Sequence, residues 1–488
     1  MLTVLIQKEL KAILQSPKFA GTFAVCAALI LLSVGIGIRE YRTAVNQYDT
    51  VRSLTDQRMT QTGNWSELST RALKAPHPLQ TLVSGIHNDL GRHSAVTRHQ
   101  PVKLRHSSYA DDPLFAVFRY LDFVFVVQVV LSLFAIVFTY DAVSGERESG
   151  TLKLMLANPL PRVRLILGKW LGTWLGLVVP LLIPLLLGIL LLLLFAVPLT
   201  GGDWAAVGIL MGLTLLYFAG WQTLGILVSA LTRRSATAFL ILLVTWVTLV
   251  FIVPRAGVMI AGQMVPVPSA AEIDGRVEGF AREAWDTHYA AMDERMRERN
   301  AAMAGMSEAE REAYEEETMW DWLEGEEVER ENVEARIADY RGRQTADLRR
   351  RQAVMQRLAL GLSRISPASA FQLAAMRLAE ADIHLKERYE DAIAGYRERF
   401  LAFTAGKAEG AGHRGGFRIS IDSDSGVSID TGTDTESLDL SEVPRFAAPR
   451  EPLGRRLAGM AGDLGWLAAL PLLALAGAFV AFLRYDAR

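Results

Sequence analysis

The sequence predicts an all-α polytopic membrane protein with about six transmembrane helices, a mainly helical extracytoplasmic domain and a small β insertion. Hydrophobic residues make up 51% of the 488 residues. They are concentrated near both termini and between Leu114 and Val253, whereas charged residues are dense between about 269 and 400. Six apolar blocks reach the length of about 20 residues that a bilayer crossing requires.

The first of these blocks is interpreted as a retained span and not as a signal peptide. No small-residue cleavage pattern follows it, and Arg39-Glu40-Tyr41 continues a helix-compatible sequence. The six predicted spans are Phe19–Ile38, Leu114–Tyr140, Leu165–Val197, Trp204–Leu231, Ala236–Val253 and Leu464–Leu483.

Lysine and arginine residues in the short connections predict which side is cytoplasmic. They occur at the N-terminus, between the second and third spans, after the fourth span and at the C-terminus. With six spans all four places fall on one side, whereas the opposite loop 198–203 has no lysine or arginine. We therefore expect a multi-pass protein of the cell (cytoplasmic) membrane, surrounded by lipid, with both termini in the cytoplasm.

This map divides the chain into five segments. An amphipathic N-terminal stretch and the first span occupy 1–38, and a first extracytoplasmic segment occupies 39–113. Residues 114–254 hold the second to fifth spans, 255–456 form a large extracytoplasmic helical domain, and 457–488 hold the last span and the C-terminus. For the large domain, the sequence predicts a helical bundle or hairpin that stands on the membrane. A more specific form of this prediction is that the domain is a docking surface for an extracytoplasmic protein partner.

Local signals support this assignment of the large domain. Ser307 and Glu310 have capping-box spacing, and Ser366-Pro367 is typical of a helix start. The segment 406–442 is rich in Gly, Ser, Thr and Asp, and short alternating stretches within it predict strands. Its aspartates do not have EF-hand spacing, so a flexible or hairpin insertion is favoured over a calcium site.

Several classes of chemistry find no support in the sequence. The net charge of −2 gives no basic field for nucleic acid, and the single Cys26 excludes an internal disulfide framework. His87, His93, His99 and His106 lack the spacing of a zinc motif, and no Gly-x-Ser-x-Gly elbow occurs. We predict no catalytic residue and no metal site.

Polar residues and prolines inside the predicted spans are candidates for translocation or gating, because burying a polar group in lipid is costly. The polar residues are Asp122, Gln128 and Gln222. The alternative for Asp122 is that it lies at the membrane interface, is solvated and has no role in translocation. Pro180 and Pro184 are expected to kink the third span, as a gating feature or as a plain packing feature.

The connection 141–164 between the second and third spans is the most informative stretch. Two glycines, at 145 and 150, bracket a Glu-Arg-Glu cluster, and Thr151–Leu156 has the pattern of a short amphipathic helix. Such a helix can transmit a push from a soluble motor into the spans, and an ordinary charged interfacial loop is the alternative. The candidate residues are Glu146, Arg147, Glu148, Gly150, Thr151, Leu152, Pro159, Arg162 and Lys169.

These residues resemble the coupling helix of type-2 ABC transporter permeases, the element that contacts the nucleotide-binding subunit in that family. Lys8-Glu9-Leu10 is similar to the family's elbow helix. Three further stretches resemble a subgroup with a large extracytoplasmic insertion: Leu121-Asp122-Phe123, Ser366-Pro367-Ala368-Ser369 and Phe482-Leu483-Arg484-Tyr485-Asp486.

The resemblance implies a transport subunit, an exporter by analogy with most relatives, that works with two ATPase subunits and a second permease. The second permease is another copy of this chain or a homologue. No phosphate-loop motif occurs, so the chain itself is expected to bind no cofactor, with ATP and Mg²⁺ held by the partner ATPase. The alternative function is a non-transport membrane scaffold or sensor, which would not depend on the Glu-Arg-Glu cluster.

Overall fold

The computed structural model describes residues 2–63, 65, 68–96, 121–156, 161–410, 418–422, 426–430 and 438–484. They divide into two compact units. The first comprises Met1–Phe251 and Ser366–Arg488, and the second comprises Ile252–Ile365. Helices account for most of the described residues in both units, which confirms the all-α fold class.

The helices are numbered in chain order. They are α1 (Leu2–Leu14), α2 (Pro17–Gln61), α3 (Phe123–Val137), α4 (Ser144–Glu148), α5 (Thr151–Leu156), α6 (Arg162–Leu194), α7 (Gly201–Leu231), α8 (Ser235–Met264), α9 (Ala270–Met303), α10 (Glu308–Ser363), α11 (Pro367–Leu378), α12 (Leu385–Gly410) and α13 (Leu453–Leu483). Two of them contain π-helical segments, Val126–Leu131 in α3 and Thr248–Ile252 in α8.

Five helices in the described part of the chain are long and apolar enough to cross a membrane, namely α2, α6, α7, α8 and α13. They correspond to the first and the third to sixth predicted spans. For the second, residues 114–120 lie outside the described residues, and the described part is the shorter apolar helix α3.

Helix α2 begins where the Ser16 hydroxyl accepts a hydrogen bond from Phe19 N and Pro17 fills the first turn. Its 45 residues correspond to about 68 Å, more than twice the hydrocarbon thickness of about 30 Å. The helix therefore continues well past the first predicted span, as the helix-compatible sequence after Ile38 indicated.

Helix α7 is the most enclosed of the spanning helices. Tyr217, Phe218 and Trp221 are almost completely buried between α7 and its neighbours. At Gly225 the helix is packed so closely that a Cβ atom would collide with the side chain of Thr139. Glycine is required there because the segment after α3 touches the backbone of α7.

Helix α6 instead carries an exposed apolar face. Val179, Ile183, Leu186, Leu190 and Leu194 are each more than half exposed and follow one another at helical spacing. An apolar row of this length on a spanning helix is suited to contact with lipid or with a second membrane subunit.

The described residues of the first unit also form two antiparallel hairpins. Strands β1 (Thr70–Leu73) and β2 (His93–Val96) pair with Thr70 opposite Val96, and the sequence did not predict them. Strands β3 (Arg418–Asp422) and β4 (Gly426–Asp430) form the hairpin predicted within 406–442.

The second unit contains α9, α10 and the end of α8. The rings of Phe280 and Tyr340 stack at 4.2 Å between centroids, and Arg295 forms a bidentate ion pair with Glu326 at 2.7 and 2.9 Å. These contacts join α9 to α10 side by side, so charged helices predicted for this part of the chain are confirmed.

Both predicted helix starts are confirmed as well. Glu310 accepts hydrogen bonds from the backbone and hydroxyl of Ser307, at 2.8 and 2.7 Å, which completes the capping box of α10. Ser366 caps α11, with Pro367 at its first position. Phe371 and Leu378 are buried on α11, and Leu385 and Tyr389 are buried on α12.

Candidate functional site

The connection between α3 and α6 folds into two short helices, α4 and α5, which confirms the predicted short helix over Thr151–Leu156. Gly150 joins them with φ of 75°, a left-handed conformation that residues with a Cβ atom rarely adopt. Across this turn the hydroxyls of Ser149 and Thr151 lie 2.9 Å apart. We refer to Ser144–Leu156 as the α4–α5 segment.

One side of the α4–α5 segment is buried in an apolar cluster. Leu152 is completely buried, as is Val143 just before α4. Their partners come from α6, α7 and α13: Leu165, Ile166, Ile226, Ala230, Ala478 and Phe482. The segment therefore packs directly on three membrane helices.

Glu146 links the segment to α1 and α6 by ion pairs. Its Oε1 lies 2.9 Å from Lys8 Nζ on α1 and 2.8 Å from Lys169 Nζ on α6. Lys169 also donates to the Ala142 carbonyl and pairs with Glu9 at 3.1 Å. Burial would raise the pKa of the Glu146 carboxyl, but the charges and hydrogen bonds of Lys169 and Lys8 hold it below its usual value.

Arg147 and Glu148 bind the two sides of the turn between α7 and α8. The Arg147 guanidinium donates to the carbonyls of Thr232 at 2.8 Å and Ala230 at 3.3 Å, where α7 ends. Glu148 accepts from the backbone N–H and the hydroxyl of Ser235 at 3.1 and 2.9 Å, where α8 begins. A cation at a helix C-terminus and an anion at an N-terminus both complement the helix dipole.

A buried serine group fixes the start of α4 against α7. The Ser229 hydroxyl accepts hydrogen bonds from the backbone N–H groups of Val143 and Ser144, each at 3.0 Å. The Ser144 hydroxyl lies 3.1 Å from those of both Ser229 and Ser235. The beginning of α4 is thus held by α7 and α8 together.

The opposite side of the α4–α5 segment faces outward. Ser149, Gly150, Thr151 and Lys153 are exposed, and the Leu154 side chain is 71% exposed. An exposed leucine among polar residues, on a segment tied to several spans, is a surface suited to a partner protein.

A family model described as "ABC-2 family transporter protein" matches residues 3–487. The chain belongs to this family. It is therefore a multi-pass membrane component of transport, and membership in the ABC-2 family implies partnership with an ABC ATPase. No curated protein matches the chain.

Within this ABC-2 chain, the candidate residues of the predicted spans have separate structural partners. Asp122 caps α3 by accepting from Phe125 N at 2.8 Å and also accepts from Ser84 N at 3.2 Å. The backbone carbonyl of Gln128 accepts the Tyr217 hydroxyl at 2.9 Å. Each contact joins α3 to a neighbouring element or fixes its start, and a translocation role for these residues stays a prediction.

Gln222 and the two prolines belong to α7 and α6. The Gln222 amide donates to the Trp170 carbonyl at 3.0 Å, which ties α7 to α6. Pro180 and Pro184 lie inside α6, whose helix continues over both. Two candidate residues of the connection between α3 and α6 cannot be placed in the same way: Pro159 and the side chain of Arg162 lie outside the described residues.

Of the four histidines between residues 87 and 106, only two are described. His87 and His93 are described, whereas His99 and His106 lie outside the described residues. Within the part of the ABC-2 chain that the structure describes, no three His, Cys, Asp or Glu side chains are grouped as metal ligands.

Sequence reasoning did not identify Lys8, Ser229 and Ser235 as parts of the site. Lys8 lies in the stretch that resembles an elbow helix, and the serines carry no motif. The one available signal was local: Ser235 follows a two-residue arginine pair between two apolar blocks, where a helix start is expected.

The ABC-2 chain contains a second group of buried charges, which we call the Glu380 cluster: Glu380, Arg456, His77 and Glu451. Arg456 forms an ion pair with Glu380 and donates to the carbonyls of Glu451 at 2.8 Å and Leu378 at 3.1 Å. His77 Nε2 lies 3.6 Å from Glu380 Oε1. Burial acts to raise the pKa of Glu380, but His77 and Arg456 hold it below its usual value.

Proposed function

We propose that this chain is the permease subunit of an ABC transporter and that a separate ABC ATPase, which binds ATP and Mg²⁺, docks on the α4–α5 segment. The observation that carries the proposal is the set of polar contacts from Glu146, Arg147 and Glu148. Within one short helix, these three side chains contact α1, α6, the end of α7 and the start of α8.

This arrangement suits the transmission of a rigid-body movement. A displacement of α4 alone would separate Glu146 from the buried Lys169, and a buried charge that loses its partner is strongly destabilising. The connected helices would therefore move together with α4. Rigid-body motion about an interface is a common way in which a motor subunit changes the conformation of its partner.

The outward side of the segment offers the docking surface. Leu154 is 71% exposed and is flanked by Lys153, with Thr151 one turn away. A central apolar anchor with polar residues around it is typical of protein interfaces. The apolar cluster around Leu152 supports this surface from behind.

The remaining parts of the proposal rest on sequence and family. The distribution of lysine and arginine supports a cytoplasmic α4–α5 segment and cytoplasmic termini. The exposed apolar row on α6 is suited to lipid or to a second permease, either a copy of this chain or a homologue. Export is the direction we propose, because most relatives of this type export.

The test is co-purification of the full chain from its native membrane in mild detergent, with mass spectrometry and an ATPase assay. We expect an ABC ATPase to co-purify and its hydrolysis to depend on this chain. A chain that carries no ATPase even after cross-linking in the membrane would favour the scaffold or sensor alternative instead.

The docking surface is tested with Leu154→Asp, compared with Leu323→Asp on α10 as a control at another exposed leucine. If Leu154 is an interface anchor, its substitution weakens ATPase binding by about tenfold or more. Equal binding by both variants would place the docking surface elsewhere. Charge reversal at Glu146 is a poorer test, because it would bring a third ammonium group beside Lys8 and Lys169 and disturb the fold.

A further inference from the structure

A cavity of about 470 Å³ lies in the first unit, away from the α4–α5 segment. Its walls are the second half of α2 and the stretch from the end of β1 to the start of β2. The volume is within the range of about 300–1,000 Å³ that is typical of small-molecule sites. The residues of the α4–α5 segment and of the Glu380 cluster do not line it.

The charged side chains that line this cavity are basic. Lys74, His87, Arg92 and His93 all line it, and the lining residues that the structure describes include no Asp or Glu. The Lys74 ammonium donates to the His87 carbonyl, which fixes the lysine at the wall. Asp89 is the nearby acidic residue that acts on Lys74, and it does not line the cavity.

Lys74 is held in an environment that disfavours its charge. Burial and, to a smaller extent, the charge of Arg92 lower the pKa of its amine to about 8, and the charge of Asp89 opposes them only in part. An anion in the cavity would reverse this effect by stabilising the ammonium form. The lysine is therefore a cation that lacks a fully compensating anion in its own surroundings.

His87 is a buried polar group beside the same lysine. It is 5% exposed, and its ring stacks on that of His77 with centroids 6.2 Å apart. Neither ring nitrogen has a hydrogen bond of normal geometry within the described residues, although the Ala379 backbone acts on the ring. Burial and the charge of Lys74 keep the pKa of His87 well below its usual value, so the ring is neutral and can donate one hydrogen bond.

The cavity also has an apolar wall. Tyr48 and Val51 on α2 contribute to it, together with Leu73 and Pro76. Ligand sites commonly combine such a wall with a few polar groups that orient the ligand. The volume of the cavity is larger than an inorganic anion would fill, and such an anion would not use the apolar wall.

We infer that this cavity binds a small organic anion, with its oxyanion group between Lys74 and Arg92 and its apolar part against α2. The inference goes beyond the proposed function, because binding at this site requires no ATPase.

The first test measures protection of Lys74 in the full-length protein in lipid nanodiscs. Lysines are acetylated with N-hydroxysuccinimidyl acetate and quantified by peptide mass spectrometry, with 3-phenylpropionate as the anionic probe. At a probe concentration ten times the dissociation constant, acetylation of Lys74 should slow about tenfold. Acetylation of the exposed Lys386 in the same molecule should not change.

Two matched probes decide the class of ligand. The neutral 3-phenylpropanamide has the same shape and should protect Lys74 at least about tenfold less well, because it lacks the charge-assisted hydrogen bonds. Equal protection by the amide, or no protection by the acid, would overturn the anion site. Equal protection by inorganic phosphate would overturn the assignment to an organic anion.

Variants provide the second measurement, by calorimetric titration with 3-phenylpropionate. Lys74→Met should weaken binding by about tenfold or more, whereas Lys74→Arg should retain it and Lys386→Met should have no effect. Unchanged binding by Lys74→Met would overturn the proposal. If that variant does not fold, the protection experiment on the unaltered protein still decides the question.

Discussion

The ammonium group of Lys169 lies 2.8 Å from the carboxylate of Glu146, and Lys169 is only 2% exposed. The lysine belongs to α6, and the glutamate belongs to the short helix α4. A buried charge is tolerated when it is paired and hydrogen-bonded, so this contact fixes α4 relative to α6. Lys8 reaches the same carboxylate oxygen from α1, on the more exposed side.

Removing the buried cation should destabilise the protein strongly. Lys169→Met leaves Glu146 and Glu9 without their common partner in a mostly buried site, and we expect a loss of about 3–5 kcal/mol. Thermal unfolding in detergent, followed by circular dichroism, measures the effect. The exposed Lys153→Met is the control, and equal unfolding midpoints for the two variants would contradict this account of Lys169.

The Glu146 carboxylate should also make the stability of the folded protein depend on pH. Its pKa is depressed in the folded state, so its contribution is present above the pKa of an unfolded glutamate, about 4.3, and is lost as the pH falls through the lower folded pKa. The unfolding midpoint of Glu146→Gln should therefore lie furthest below that of the unaltered protein near about pH 6. The difference should shrink by about pH 3, and a constant difference across this range would argue against the assignment.

The helices were predictable where the signals are local. The Ser307–Glu310 capping box and the Ser366–Pro367 start depend on residues within one turn, and both form as predicted. Strands β1 and β2 were not predictable in the same way. They are four residues each and pair across a long connection, so neither alternation nor a tight turn marks them in the sequence.

The candidate site was predictable in part for a similar reason. The charged cluster at Glu146 and the helix break at Gly150 are visible in the sequence as composition and spacing. Their partners are not, because contacts of Glu146 with Lys8 or of Ser144 with Ser229 depend on how distant helices pack. The basic cavity at Lys74 arises in the same way, from a long helix and a hairpin that only tertiary structure brings together.

Gly150 is expected to be a conformational requirement of the α4–α5 segment. A Cβ atom there would meet no neighbour, so the cost of Gly150→Ala comes from its φ of 75° and should be about 1–2 kcal/mol. Gly342→Ala is a matched control, because Gly342 lies inside α10, has equal space, and alanine there should stabilise the helix by about 0.5–1 kcal/mol. Thermal unfolding of the two variants should therefore shift in opposite directions, and a stabilising effect at both sites would contradict this interpretation of Gly150.

The Glu380 cluster should be as sensitive as the Lys169 site, although it lies in another part of the first unit. Arg456 is 7% exposed, and its guanidinium compensates the buried Glu380 carboxylate while satisfying two backbone carbonyls. Arg456→Met should therefore cost about 3–5 kcal/mol, because Glu380 loses its arginine and the carbonyls lose their donor.

The adjacent Arg455 offers a control with the same side chain in an exposed position. It is exposed on the same helix, so Arg455→Met removes an equal charge and should change stability by less than about 0.5 kcal/mol. Unfolding midpoints of the two variants, measured in the same detergent, compare these costs directly. Similar midpoints would show that the Glu380 carboxylate is compensated by other groups, such as His77, and that Arg456 is not the residue that makes its burial possible.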